Sequence, residues 1–590
     1  QYKCYKRRYK KSTSNSRRKT TEMLRFKDII SATLLCLLFV SISLQQSTRR
    51  EPLVEIDLGT IRGSILKTVN GRDIFAYRGI PYAQEPVGIR RFAAPVPVGA
   101  WNDTLDAIED SPICPQPVRS VPMSEDCLKI NIYTSSEIVQ GWPVLVYIHG
   151  GSNKIGSGHS VYEAGPQYLL DAQVILVTFN YRLGALGFLS TRTAEAPGNF
   201  GYLDQVLALK WVQSHIRHFG GNPNRVTIFG MSAGAMAVTL HMASPLSANL
   251  FHRAIAMSGS ATSELVIDNL YWTRKLAEEL SCPKYSPKEL LDCLRAVPWQ
   301  KIIEVCATWE YYGFINMKWN YEIDGKFLLE HPTDTFRHNR TNNVPLMAGI
   351  TKNECDFHAY HQENNTGLLN DISQNFASYA PELFLYKNWS TGIESENNVW
   401  RGEKLQLFYF GNHTNITEGN LYPFGHVFSD SIIGHGVYKL VRLASRFMNV
   451  FYYRFDYESN PSLKPDHNGN SQGVVHADDL KYVMPSTWYG PQFAIDSPNM
   501  FMVKRMVHIF ETFANWGFFE TSIYIDWPPV DPDDVKALYN NDVMYVGPAP
   551  FLERYALWDE LFAQKNSGAS PLLLSALVAT IIAVVSALVL

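Results

Sequence analysis

"TIFGMSAGAMAV", residues 227–238, runs from β-branched and aromatic residues into an Ala-rich helix former, and a Gly-x-Ser-x-Gly pentad marks the break. A chain that turns at once from strand to helix needs small neighbours at the turning point. Gly230 and Gly234 supply them around Ser232. The pentad alone decides nothing, because at ordinary Gly and Ser usage it arises by chance in about one in five chains this long. An N-cap serine on a glycine-softened helix start is the competing reading. The flanking sequence has to choose.

On the amino-terminal side, "VLVYI" (144–148) and "VILVTF" (174–179) are short, continuous apolar runs, as expected of strands covered on both faces. Tyr202, Val206, Leu209, Val212 and Ile216 recur at helical steps, and Gly220 and Gly221 follow as a stop. "RVTIF" and then "RAIAM" (253–257) read as further strands. The pattern predicts an α/β fold with a large, mostly parallel central sheet flanked by helices and carrying insertions. Ser232 then lies at the carboxyl end of a strand and opens a helix, where open α/β sheets place their chemistry.

The chain has 590 residues, 46% of them hydrophobic and 18% charged, with a net charge of -3. Such a balance suits a large globular core and argues against a nucleic-acid partner. No linker or repeat interrupts the sequence between Leu53 and Gln564, so residues 47–565 are expected to form one domain. Residues 1–22 carry nine Lys/Arg and a single acid, Glu22, and read as a basic leader or an artefact. Residues 23–46 read as a signal peptide, with a signal-anchor as the alternative; either exports the domain. Residues 566–590, small then wholly apolar, read as a GPI-attachment signal or a plain membrane span.

Beyond the signal six cysteines remain, without metal-type spacing. Cys114 with Cys127 and Cys282 with Cys293 would close short loops, each worth roughly 3 kcal/mol in the chain-entropy model. Sequons at Asn102, Asn339, Asn364, Asn388, Asn412 and Asn415 suit a glycosylated, extracellular protein. No metal or cofactor is expected, and the oligomeric state is left open.

Serine chemistry needs a base, a group to orient it, and donors for an oxyanion. "HGGSNKIGSG" (149–158), directly after the first strand, offers open backbone N–H groups. Together with "AYRGIPYAQEPVGIRRFAAP", "SEDCLKINIY", "NYRLGALGFL", "GNFGYLDQVLALKWVQSHIRHFGGNPNRVTIFGMSAG" and "GVVHADDLKYVM", it resembles the type-B carboxylesterase and cholinesterase family of α/β-hydrolases, from about Leu53 to Trp558. The resemblance implies Ser232 as nucleophile, Glu354 as acid and His476 as base. It further implies oxyanion donors on Gly151, Ser152 and Ala233, a supporting hydroxyl on Ser258, and structural ion pairs Arg78 with Glu125 and Arg182 with Asp204. His149, His215, His218 and His241 read as packed or solvated side chains, and Asp478 and Asp479 as support for a helix that starts after His476.

Four departures from the family shape the functional expectation. Met231 stands where a glutamate commonly precedes the nucleophile, and the loop between Cys114 and Cys127 has Arg119 but no tryptophan, so the attraction for cationic choline esters is missing. Ser152 replaces a glycine, although the backbone donor survives. Cys355 follows the acid where glycine is usual, and either a Cys306 to Cys355 disulfide or two thiols fits. The expected activity is hydrolysis of neutral, fairly apolar carboxylic esters through an acyl-enzyme. A cell-surface adhesion protein built on the same fold is the alternative.

Overall fold

The computed structural model describes residues 51–563 apart from 118–120, 136–139, 310–316, 363, 388–395, 412–415, 418–420, 459–470, 472 and 520–525. The basic leader, the signal, the apolar segment 566–590, Arg119 and the sequons at Asn388, Asn412 and Asn415 lie outside the described residues. Among the described residues no helix is long and apolar enough to cross a membrane.

In chain order the strands are β1 (Leu53–Ile56), β2 (Gly59–Arg62), β3 (Ser64–Lys67), β4 (Asp73–Pro81), β5 (Leu105–Asp106), β6 (Lys129–Ser135) and β7 (Trp142–Ile148). They continue with β8 (Ile175–Phe179), β9 (Gly221–Met231), β10 (Arg253–Met257), β11 (Leu346–Thr351), β12 (Val450–Phe455), β13 (Lys536–Asn540) and β14 (Tyr545–Pro548). Eleven of them form one mixed sheet, ordered β14-β13-β12-β11-β10-β9-β7-β8-β6-β4-β3, with helices against it. The run from β8 to β13 is parallel, while β3, β4, β6 and β14 pair antiparallel. This is the α/β-hydrolase architecture that the sequence led us to expect.

The apolar runs are continuous because both faces of the sheet are covered. In β7, Val144, Val146 and Ile148 enter one core cluster while Leu145 and Tyr147 enter the other. The helix Phe200–His215 lies where the 3.6-residue period placed it, followed by a 3-10 turn, Ile216–Phe219, that ends on Gly220 at φ 90°. Gly221 is not part of that stop; it begins β9. The helix after the pentad, Ala233–Ala243, is buried all round, which explains its lack of an amphipathic pattern.

Candidate active site

The pentad forms a strand–turn–helix elbow. Ser232 has φ 61° and ψ -126°, outside the regions ordinary residues occupy, so the fold around it must hold it there. Its glycines are required by close approach. A Cβ on Gly234 would lie 2.1 Å from the Ile148 carbonyl oxygen, and one on Gly230 would lie 2.5 Å from the Gly234 carbonyl carbon. The elbow is fixed further by the Ser232 N–H, which donates to the Met257 carbonyl across to β10 (2.9 Å). Met231 is buried, in the same apolar cluster as Ala477 and Leu480 on the segment around His476.

The glycine loop packs directly on this elbow. A Cβ on Gly150 would meet the Met231 carbonyl oxygen at 2.4 Å and the Ser232 Cβ at 3.1 Å. Gly151 and Ser152 follow at φ 100° and 57°, and among the described residues neither backbone N–H is engaged in a hydrogen bond. Ala233 opens the buried helix, whose first N–H groups have no intrahelical partner. His149 holds the loop in shape: it stacks on Tyr181 at 4.2 Å, and the Tyr181 hydroxyl donates to its carbonyl (2.8 Å). Burial pulls the His149 imidazole down to about 4, so it is neutral. His241 is likewise a core residue, between Ser247 and Gln205, with burial pulling it to about 3.

The acid and the base meet on the other side of the elbow. Glu354 follows β11, one strand beyond β10, and His476 lies on the segment that follows β12. Glu354 Oε2 is 2.6 Å from His476 Nδ1, while Oε1 accepts from the Thr351 N–H (2.7 Å). Glu354 is 2% exposed and the His476 side chain 11%, so the pair is shielded on the carboxylate side and open on the imidazole side. Strand spacing puts the ends of β9 and β11 about 10 Å apart, within reach of side chains from both.

Backbone hydrogen bonds zip these two loops together. The Asn353 N–H donates to the Val474 carbonyl (2.8 Å), and the His476 N–H donates to the Glu354 carbonyl (2.9 Å). The Asn353 side chain accepts from the Val474 N–H (3.2 Å) and donates to Asp356 (3.0 Å). Gly349 leaves room for the Tyr453 ring, whose hydroxyl donates to Asp479 (2.8 Å). Burial raises the Asp479 carboxyl to about 7. Asp478 accepts from the Val475 N–H (2.8 Å) and pairs with Lys481 (2.7 Å). Asp478 and Asp479 thus support the His476 segment, but the element that starts there is the short 3-10 turn Leu480–Tyr482 and not the expected helix. Ser258, at φ 54°, follows β10 and donates its N–H to the Gly349 carbonyl (2.9 Å). Its hydroxyl has no hydrogen-bond partner among the described residues.

A further sequence-based expectation fails, and one that was left open is decided. Arg78 pairs with Asp110 (3.0 Å), because β4 runs beside the segment around Ile108, and Glu125 is taken instead by Arg91 (2.6 Å). Arg91 also donates to the carbonyls of Leu294, Arg295 and Val297, which fix it in front of the Cys127 loop. Cys306 and Cys355 are both thiols, with no bond between them. Cys355 is held by its N–H, which donates to the Ser429 hydroxyl (2.8 Å), so hydrogen bonds and not a disulfide place Glu354. Arg182 does pair with Asp204 (2.7 Å), and Cys114–Cys127 and Cys282–Cys293 are disulfides. A wider cleft of about 740 Å³ near Arg192 and Glu322 contains none of the site residues.

Residues 50–558 match the model of the carboxylesterase family. The chain belongs to the carboxylesterase family. It is 34% identical over 525 residues to the juvenile hormone esterase of Tribolium castaneum, covering 83% of this chain and 88% of that protein. Its identity to a carboxylic ester hydrolase of Bombus ignitus is also 34%, over 530 residues, covering 86% and 92%. The crystal structure of juvenile hormone esterase from Manduca sexta with OTFP covalently attached superposes with a TM-score of 0.76. That structure is 27% identical, covering 87% of this chain and all of that one. This carboxylesterase is a serine hydrolase acting on carboxylic esters. The two disulfides among the described residues are consistent with a secreted or extracellular protein.

Proposed function

We propose that Ser232 is the nucleophile of this ester hydrolase, with His476 as its base and Glu354 as the group that orients the base. The 2.6 Å contact between Glu354 and His476 Nδ1, on the same carboxyl edge as the strained elbow, is the observation that supports this reading most. With Nδ1 committed to the carboxylate, Nε2 is the nitrogen left to take the serine proton as Oγ attacks the ester carbonyl. The same nitrogen then returns the proton to the leaving alcohol. Glu354 stabilises the imidazolium that forms between the two steps. The N–H groups of Gly151, Ser152 and Ala233 would receive the oxyanion, each donor being worth roughly 10² to 10³ in rate. Water, activated by His476 in turn, releases the carboxylate from the acyl-enzyme.

The substrates are apolar esters without a cationic head group, since apolar Met231 occupies the position beside the nucleophile where a carboxylate would attract one. A panel of p-nitrophenyl and choline esters of matched acyl length tests this. Faster turnover of the choline series would contradict it. Three sequon asparagines, Asn102, Asn339 and Asn364, are exposed, which supports a glycosylated, exported protein. We infer membrane attachment through residues 566–590, and release from cells by phosphatidylinositol-specific phospholipase C would make that segment a GPI-attachment signal. Retention would make it a span.

A further inference from the structure

Two residues beyond Glu354 lies a second acid, Asp356, and it is fully buried. A carboxyl group in that position is tolerated only where donors meet it. The Ser429 hydroxyl donates to its Oδ1 (2.6 Å), and the Asn353 side-chain amide donates to its Oδ2 (3.0 Å). The same Ser429 oxygen accepts from the Cys355 N–H (2.8 Å). One hydroxyl therefore holds the backbone of the residue after Glu354 and the side chain of the next.

The helix that supplies Ser429 is shaped for this contact. A Cβ on Gly425, one turn before Ser429, would lie 2.8 Å from the Asp356 Cα, so helix and turn touch backbone to backbone. Ser429 ends the helix Leu421–Ser429, and the chain passes at once into a π turn, Asp430–Gly434, before the helix His435–Ala444. A π turn takes one extra residue into the helix and shifts its phase. Gly425 and Ser429 face the Glu354 turn before the shift, and Gly436 packs on Ser263 after it. The turn is anchored from behind: Asp430 accepts two bonds from Arg554 (2.7 and 2.5 Å), on the helix Leu552–Ala563, and one from the Tyr409 hydroxyl. Ser429 is thus presented from a fixed support.

We infer that Ser429 and Asp356 are positioning residues for the reaction, a clamp that sets the turn 353–356 so that the Glu354 carboxylate meets His476. Neither touches the ester. Their effect passes through Glu354, so it falls on serine activation and kcat and leaves substrate binding alone. The inference rests on the hydrolase reading, and its test must separate the two.

The full chain is assayed as wild type, Ser429→Ala, Asp356→Asn, the double variant, and Ser429→Thr, which keeps the hydroxyl. Turnover of p-nitrophenyl butyrate gives kcat and KM, the rate of fluorophosphonate labelling reports serine activation, and the thermal midpoint reports folding. Ser429→Ala and Asp356→Asn should each lower kcat and the labelling rate in parallel by about tenfold, with KM within about twofold of wild type. The double variant should lose little more than the worse single one, because the two side chains act as one unit. Ser429→Thr should recover most of both rates. A folded Ser429→Ala with a lower thermal midpoint but wild-type kcat and labelling would overturn the clamp, as would multiplied losses in the double variant or a folded Ser429→Thr no better than Ser429→Ala. If Ser429→Ala fails to accumulate, Asp356→Asn decides by the same parallel loss, and wild-type rates in it overturn the clamp. Absence of labelling in wild type would overturn the hydrolase reading instead.

Discussion

The two halves of the site are built by different physics. The nucleophile half is held by steric exclusion: Gly150, Gly230 and Gly234 admit no Cβ, and the helix behind Ser232 is buried on every side. The acid–base half is held by polar zippers, in which Asn353, Glu354, Val474 and His476 exchange backbone and side-chain hydrogen bonds between two loops. Exclusion is all-or-none, since a methyl group either fits or does not. Hydrogen-bond zippers are graded, because each bond contributes roughly 0.5–1.5 kcal/mol and water can replace it in part.

This contrast can be broken by mutation, beginning with the chemistry that both halves serve. His476→Ala should lower kcat by about 10⁵-fold with KM little changed, measured by ester turnover. A drop of less than about 100-fold would remove His476 from the role of base. Gly234→Ala should follow, with a loss of about 10³-fold or failure to accumulate folded protein, because its Cβ would lie 2.1 Å from the Ile148 oxygen. Near-normal kcat with a normal thermal midpoint would show that the elbow relaxes.

Asn353→Ala tests the graded half. Removing the side chain leaves the Val474 N–H without its acceptor, and we expect kcat to fall by about 10- to 100-fold while KM stays close to wild type. Equal changes in both constants would point to general unfolding of the loops instead. The smallest effect is on stability. Glu163 accepts from the Ser157 N–H within the glycine-loop region, and burial raises its carboxyl to about 8. An acid whose folded pKa is raised binds its proton more tightly in the folded state, so folding stability is lost as pH climbs from about 4.5 towards 8. Glu163→Gln should therefore gain thermal midpoint relative to wild type as the pH rises from 5 to about 9. A difference independent of pH would mean that Glu163 titrates normally.

The same division explains what could be read from the sequence. Steric necessity writes itself in residue type: Gly230, Gly234 and the Gly150–Gly151 pair stand out, and continuous apolar strands such as 144–148 announce a sheet covered on both faces. Glu354 and His476 could be named from the motifs around them, and the structure brings the two together. What was illegible is partner choice among equivalent polar groups. Arg78 and Arg91 are alike in sequence, and only the path of β4 beside Ile108 gives Asp110 to one and Glu125 to the other. Nor could the sequence choose between a disulfide and two thiols for Cys306 and Cys355, which the structure keeps as thiols, the second fixed through its backbone to Ser429. Asn353 gave no signal beyond adjacency to the acid.

The central claim is that Ser232, alone among the serines, is activated. Mass spectrometry of the wild-type protein after reaction with a fluorophosphonate tests it most directly. The account predicts a single phosphonylated peptide carrying the adduct on Ser232, with labelling abolished in Glu354→Gln and His476→Ala. An adduct on another residue, or undiminished labelling in His476→Ala, would contradict it.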